Sequence, residues 1–198
     1  MKKAINNNMD LTETSFERTI VKEQSEELMI KQLFMEELKE IYWGEKYLLK
    51  ILPKMQKGAS ILELKDMIED HTFSAEDHVD RIEQVFEILG EDTQVKRNSV
   101  MEDIAKKAES ILESTPEDSL VRNAGIIMVA QKIKYHEIAS YSMLTKLAHT
   151  LGKSKIAGIL GRTLHEEKVA NEALIVIGEE YINESALLET ESEFEKGE

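Results

Sequence analysis

Only two prolines and nine glycines interrupt 198 residues, and the strong turn signals are confined to Gly58-Ala59-Ser60, Gly90 and Gly152. So few breakers, among recurring Glu, Lys, Leu, Ile and Ala, favour long helices over short strands and turns. An apolar repeat begins after Ser25, a candidate N-cap followed by Glu26 and Glu27. It runs through Leu28, Phe34, Leu38, Ile41, Leu48 and Leu52 to about Lys57, with Pro53 as a place for a kink. A second helix is expected over 61–89, burying Leu64, Ile68, Val79, Ile82, Val85 and Phe86 before Gly90 stops it. A third long helix is expected over 117–151, and a fourth over 153–181.

The lengths of the connections set the topology. Short turns near residues 59 and 152 make each flanking pair an antiparallel hairpin. The polar connection between Gly90 and Pro116 is long enough to traverse the bundle, and its VMEDIAKKAESILE segment reads as a short crossover helix. The expected fold is therefore all-α, a ferritin-like four-helix bundle with a long crossover. Residues 1–24 read as a flexible or partly helical arm, 25–181 as the bundle and 182–198 as an acidic tail.

Composition excludes several functions. With no cysteine, the chain has no disulfide, thiolate nucleophile or cysteine-held metal. A formal charge of −14 repels phosphate backbones, so nucleic acid is not an expected partner. No apolar run suits a signal peptide or a membrane span, which makes the cytoplasm the default location. Phosphate-binding glycine loops, HExxH, EF-hand and nucleophile-elbow patterns are all missing.

The informative residues are polar side chains within the apolar stripes. Glu45 lies on the inner face of the first helix, His71 and His78 on that of the second, with Ser74 beside them. Glu137 and Glu167 lie on those of the third and fourth. Glu137 and Glu167 are each 15 residues from Gly152, about 22 Å along their helices, and should be level. A turn centred near residue 59 places Glu45 opposite position 73, close to His71, and leaves His78 nearer Glu40. Glu37 or Glu40 would then extend the cluster by a turn. Carboxylates and imidazoles converging in a core suit iron, manganese or zinc. Tyr42, Tyr135 and Tyr141 could hydrogen-bond such ligands or trap radicals, while His136, His149 and His165 point away. The Glu-x-x-His pair of di-iron bundles is absent: Ile68 precedes His71, Ala75 precedes His78, and Ser140 and Ala170 follow Glu137 and Glu167 at that spacing.

ELKEIYWGEKYLLKILPKM at 37–55, EDHVDRIEQVFEILGE at 76–91, YHEIASYSML at 135–144 and LHEEKVANEAL at 164–174 together resemble the bacterial YciE/YciF family of ferritin-like proteins. The resemblance implies a stress-associated cytoplasmic bundle that forms homodimers and has a possible di-metal centre, with no established reaction. It carries the metal onto Glu45, Glu137 and Glu167. The chain departs from that family where Lys134 and Ser74 stand at positions that commonly carry acidic residues. Lys134 lies one turn before Glu137, so its ammonium could take one metal position and leave room for one ion or none. Three functions stay open: a metal-binding bundle, extending to a di-iron oxidoreductase acting on oxygen or peroxide; a metal-free dimeric scaffold that docks protein partners through Trp43, Tyr47 or the crossover; and iron storage, which requires a closed cage. Whether the chain is an enzyme is left open by its sequence.

Overall fold

A computed structural model describes the backbone of residues 7–195, with side chains described for Lys22 and for residues 24–181. Five helices follow in order: α1 (Asn7–Gly58), α2 (Leu62–Leu89), α3 (Ser99–Ser114), α4 (Leu120–Thr150) and α5 (Ser154–Glu195). No strand occurs among the described residues. The expected N-cap at Ser25 is not one, because α1 starts at Asn7 and runs through it. No proline or glycine lies between the two positions to stop the helix. Helical backbone likewise continues past Tyr181 to Glu195. Residues 1–6 and 196–198 of the expected arm and tail lie outside the described residues.

Two helix ends depend on left-handed glycines. Gly90 has φ 69° and Gly152 φ 68°, conformations that a side chain would strain. The N–H groups that follow close back on the last turns, Glu91 N to Phe86 O at 3.1 Å and Lys153 N to Ala148 O at 2.8 Å. The α4–α5 turn is therefore tight and the two helices are antiparallel.

Packing pairs α1 with α2, α2 with α5, α5 with α4 and α4 with α1, so the four long helices form a ring. α2 and α4 run parallel, and the connection between them spans the bundle as expected. Its helix α3 lies across α1 and α4. Glycines admit it: a Cβ on Gly125 would approach Ile111 Cγ2 to 2.7 Å, and one on Gly58 would approach Leu112 Cδ2 to 2.2 Å. Asn98 caps α3 by accepting from Met101 N at 3.0 Å and meets His136 Nε2 at 3.0 Å. Arg122 of α4 donates to Leu112 O at 2.7 Å and to Thr115 O, satisfying carbonyls at the far end of α3. Trp43, expected on an exposed docking stripe, is half-buried. It stacks on Tyr47 with ring centroids 4.6 Å apart and packs against the core. Among the described residues, no helix is long and apolar enough to cross a membrane.

The core is divided. One apolar cluster gathers Leu48, Leu52, Ile68, Ile126, Ile133 and Leu174, and the other gathers Phe34, Leu38, Ile82, Phe86, Tyr141 and Leu160. Along every long helix, a polar residue falls between the members of the two clusters.

Candidate metal centre

That middle layer contains Glu45 from α1, His71 and His78 from α2, Lys134 and Glu137 from α4, and Glu167 from α5, all buried. The seven-residue step from His71 to His78 keeps both imidazoles on one face of α2, and the three-residue step from Lys134 to Glu137 does the same on α4. His71 Nε2 lies 3.4 Å from Glu137 Oε2. His78 Nδ1 lies 3.4 Å from Glu45 Oε1 and 3.7 Å from Glu167 Oε1. Lys134 Nζ bridges the other two carboxylates, 2.7 Å from Glu167 Oε2 and 3.3 Å from Glu137 Oε2. One turn below Glu137, Tyr141 donates its hydroxyl to Glu45 Oε1 at 2.5 Å.

Charge in such a layer is set by burial and by neighbours together. Burial and the adjacent Lys134 ammonium hold His71 well below the ordinary imidazole range, so it is neutral. Burial acts against the charge on His78 too, but the carboxylate of Glu45, with Glu167 and Glu137, overcomes it and lifts that pKa to about 9. Lys134 is raised in the same way, the Glu137 and Glu167 carboxylates outweighing its desolvation. Desolvation raises Glu137 despite Lys134, and desolvation with the Glu137 charge raises Glu167 to about 7. Burial and Glu45 push the Tyr141 hydroxyl well above its ordinary value.

One donor atom from each of His71, Glu137 and Glu167 lies within 4.8 Å of the other two. His71 Nε2 and both oxygens of Glu137 lack a well-directed hydrogen bond, as do Glu45 Oε2 and His78 Nδ1. Orphaned buried acceptors on one imidazole and two carboxylates suit a hard or intermediate divalent ion such as iron or manganese. The residues present therefore fit a cation.

The side chains on α1 and α2 meet differently from the sequence expectation. His78 faces Glu45 rather than Glu40, which instead pairs with Lys96 at 2.8 Å and does not extend the cluster. The turn residues lie between Gly58 and Leu62, a centre nearer 60 than 59, which moves the position opposite Glu45 two residues along α2. In addition, helical side chains lean towards their own N-termini, so in an antiparallel pair Glu45 and His78 lean towards each other. Tyr135 is exposed, and Tyr42 donates instead to Glu83 at 2.6 Å. His149 and His165 are exposed, and His136 serves the α3 cap.

Sequence reasoning missed Glu166 and Arg81. Glu166 Oε2 lies 3.3 Å from His78 Nε2 and accepts from Arg81, whose Nη1 also donates to Thr163 Oγ1 at 3.2 Å. Three residues separate His78 from Arg81, and Thr163 from Glu166, so both pairs share helix faces; that spacing was the available signal.

Comparison with known proteins extends this picture. A family model described as a domain of unknown function (DUF892) matches residues 29–187. Protein YciF of Escherichia coli (strain K12) is 34% identical over 159 residues, covering 79% of this chain and 95% of that protein. The crystal structure of the E. coli stress protein YciF superposes with a TM-score of 0.74 at 32% identity, covering 78% of this chain and 97% of that one. YcfI of Rhodopseudomonas palustris gives a TM-score of 0.70 at 32% identity, covering 73% and 92%.

Proposed function

The chain belongs to the DUF892 family, the ferritin-like group that includes YciF, and from that membership we propose a stress-associated bundle holding a single divalent cation, iron or manganese, between His71, Glu137 and Glu167. The observation that carries the reading is the position of Lys134. Its ammonium lies between the carboxylates of Glu137 and Glu167, where a second cation of a dinuclear centre would compete for the same oxygens. An ion there would have to displace a buried, charged lysine, whereas His71 is neutral and ready to ligate. A bound iron or manganese would supply redox chemistry towards oxygen or peroxide. The chain's own part is to orient the donors: Tyr141 fixes Glu45, and Glu45 holds the His78 imidazolium in place.

A metal-free bundle, working as a dimer or by docking a protein partner, is the second reading. It is favoured by the same internal cations, since Lys134 and protonated His78 offset most of the charge of three carboxylates without an ion.

Elemental analysis of protein loaded separately with iron, manganese and zinc tests both. About one ion per chain, lost in Glu137→Ala, is the expected result. Two ions per chain would overturn the part given to Lys134. Trace occupancy under every loading would leave the metal-free reading.

A further inference from the structure

Charge is spread unevenly over the outside of the bundle. Every acidic residue of α2, from Glu63 to Glu87, is exposed, and the helix exposes no lysine or arginine: Lys65 is half-buried and Arg81 is held by Glu166. α4 is the opposite. Its one acidic residue, Glu137, is buried, so its outer face carries Lys132 and Lys146 with no carboxylate beside them on the helix. Neither bias recurs among the described residues of α1, α3 and α5, each of which exposes both signs. Both faces also hold bare apolar side chains. Phe73 on α2 is 60% exposed, with Glu69 and Asp70 one turn before it and Glu76 and Asp77 one turn after. On α4, Val121, Met128 and Tyr135 recur at seven-residue steps and so share one outward stripe, Tyr135 being 57% exposed with Lys132 one turn before it. Apolar side chains aligned on an exposed face, unlike scattered ones, mark a contact surface. α2 and α4 are diagonal in the ring, so the two faces point in opposite directions and cannot meet within one molecule.

We propose that the outer face of α4 docks on the outer face of α2 in a second copy of this chain. Lysines against carboxylates set the pairing and its orientation, while burial of Phe73 and Tyr135 supplies most of the affinity. Like faces do not pair: α2 on α2 would bring carboxylates together, and α4 on α4 would bring lysines together. The contact is therefore heterologous. Each copy offers one face of each kind on opposite sides, so association continues from copy to copy into a row or, where the turn per copy closes, a ring. Copies that each carry a formal charge of −14 repel one another in general, and clearing carboxylates from α4 removes that repulsion where the copies meet. The contact does not depend on an ion in the middle layer.

Sedimentation equilibrium of the full chain, over concentrations up to millimolar and at about 50 mM and about 500 mM NaCl, tests it. Wild type is expected to gain mass with concentration and to associate about tenfold more weakly at the higher salt. Phe73→Lys and Tyr135→Glu each reverse the charge at the centre of one face, and each should weaken self-association by at least about tenfold. Both side chains are exposed, so the variants should fold, and circular dichroism verifies it. Mixed in equal amounts, the two variants should pair, because one keeps its α4 face and the other its α2 face, and the paired species should grow no further. A mixture no heavier than its components overturns the proposal. So does a Phe73→Lys chain that self-associates as tightly as wild type, since α4 would then be pairing with α4. A wild-type mass that does not change with concentration overturns it too.

Discussion

Lys134 Nζ on α4 lies 2.7 Å from Glu167 Oε2 on α5, and both side chains are buried. The contact joins two helices through charges that each raise the cost of losing the other. Lys134→Met preserves length and apolar stem but removes the cation, leaving Glu137 and Glu167 face to face. Removing one partner of a buried pair costs roughly 3–5 kcal/mol, so the urea midpoint of chelator-treated protein should fall accordingly. Manganese should stabilise this variant more than it stabilises wild type. An unchanged midpoint would show that the carboxylates neutralise themselves by taking up protons instead.

Stability of the chelator-treated chain should decline as pH rises. The His78 pKa stands at about 9 against 6.5 for a free imidazole, so the folded state holds that proton more tightly than the unfolded one. This contribution is complete below pH 6.5 and is lost as pH passes through about 9. Glu167, at about 7 against 4.5, acts in the same sense at lower pH: its contribution is full below 4.5 and gone above about 7. The upper step is worth on the order of 3 kcal/mol, and His78→Asn should flatten it. A Tm that does not fall between about pH 6 and about pH 9.5 would contradict the charge assignment.

Tyr141→Phe removes the hydroxyl that Glu45 accepts from while preserving the ring. Glu45 Oε2 already lacks a hydrogen bond, so the substitution strips the carboxylate of its best-directed donor. A loss of about 1–3 kcal/mol in thermal denaturation is expected. Wild-type stability in the variant would mean that His78 alone suffices to hold Glu45.

Gly125→Ala should destabilise the chain even though alanine is the better helix former by about 1 kcal/mol. The new Cβ would meet Ile111 Cγ2 at 2.7 Å, and that methyl sits on a β-branched carbon with little freedom to retreat. A net loss of about 1 kcal/mol and faster proteolysis within α3 are expected. A rise in Tm would show that α3 can lift from α4 at little cost.

The fold was legible because its determinants are local. The apolar spacing, the glycine stops at 90 and 152 and the long connection between them lead to five helices and their topology. The level placement of Glu137 and Glu167 followed from equal distances to one tight turn. The partner of Glu45 was less legible, since an error of one residue in a turn centre moves the opposing position by two, and side-chain lean adds to it. Ser25 misled because a good cap residue acts only where the preceding chain leaves the helix. Arg81 and Glu166 were invisible for another reason: each looks like an ordinary charged surface residue until α2 and α5 are placed side by side. Lys134 was legible as an intruder on a ligand face, but its second partner lies on another helix, and only the fold supplies it.

The placement of α3 has a consequence for how the molecule can be controlled. Helix α3 covers α1 and α4, on the side of the ring opposite the α2–α5 seam where Glu166 and Arg81 lie. A partner docked on α3 would therefore leave the Arg81–Glu166 ion pair untouched, while one seated over the α2–α5 seam would meet it directly.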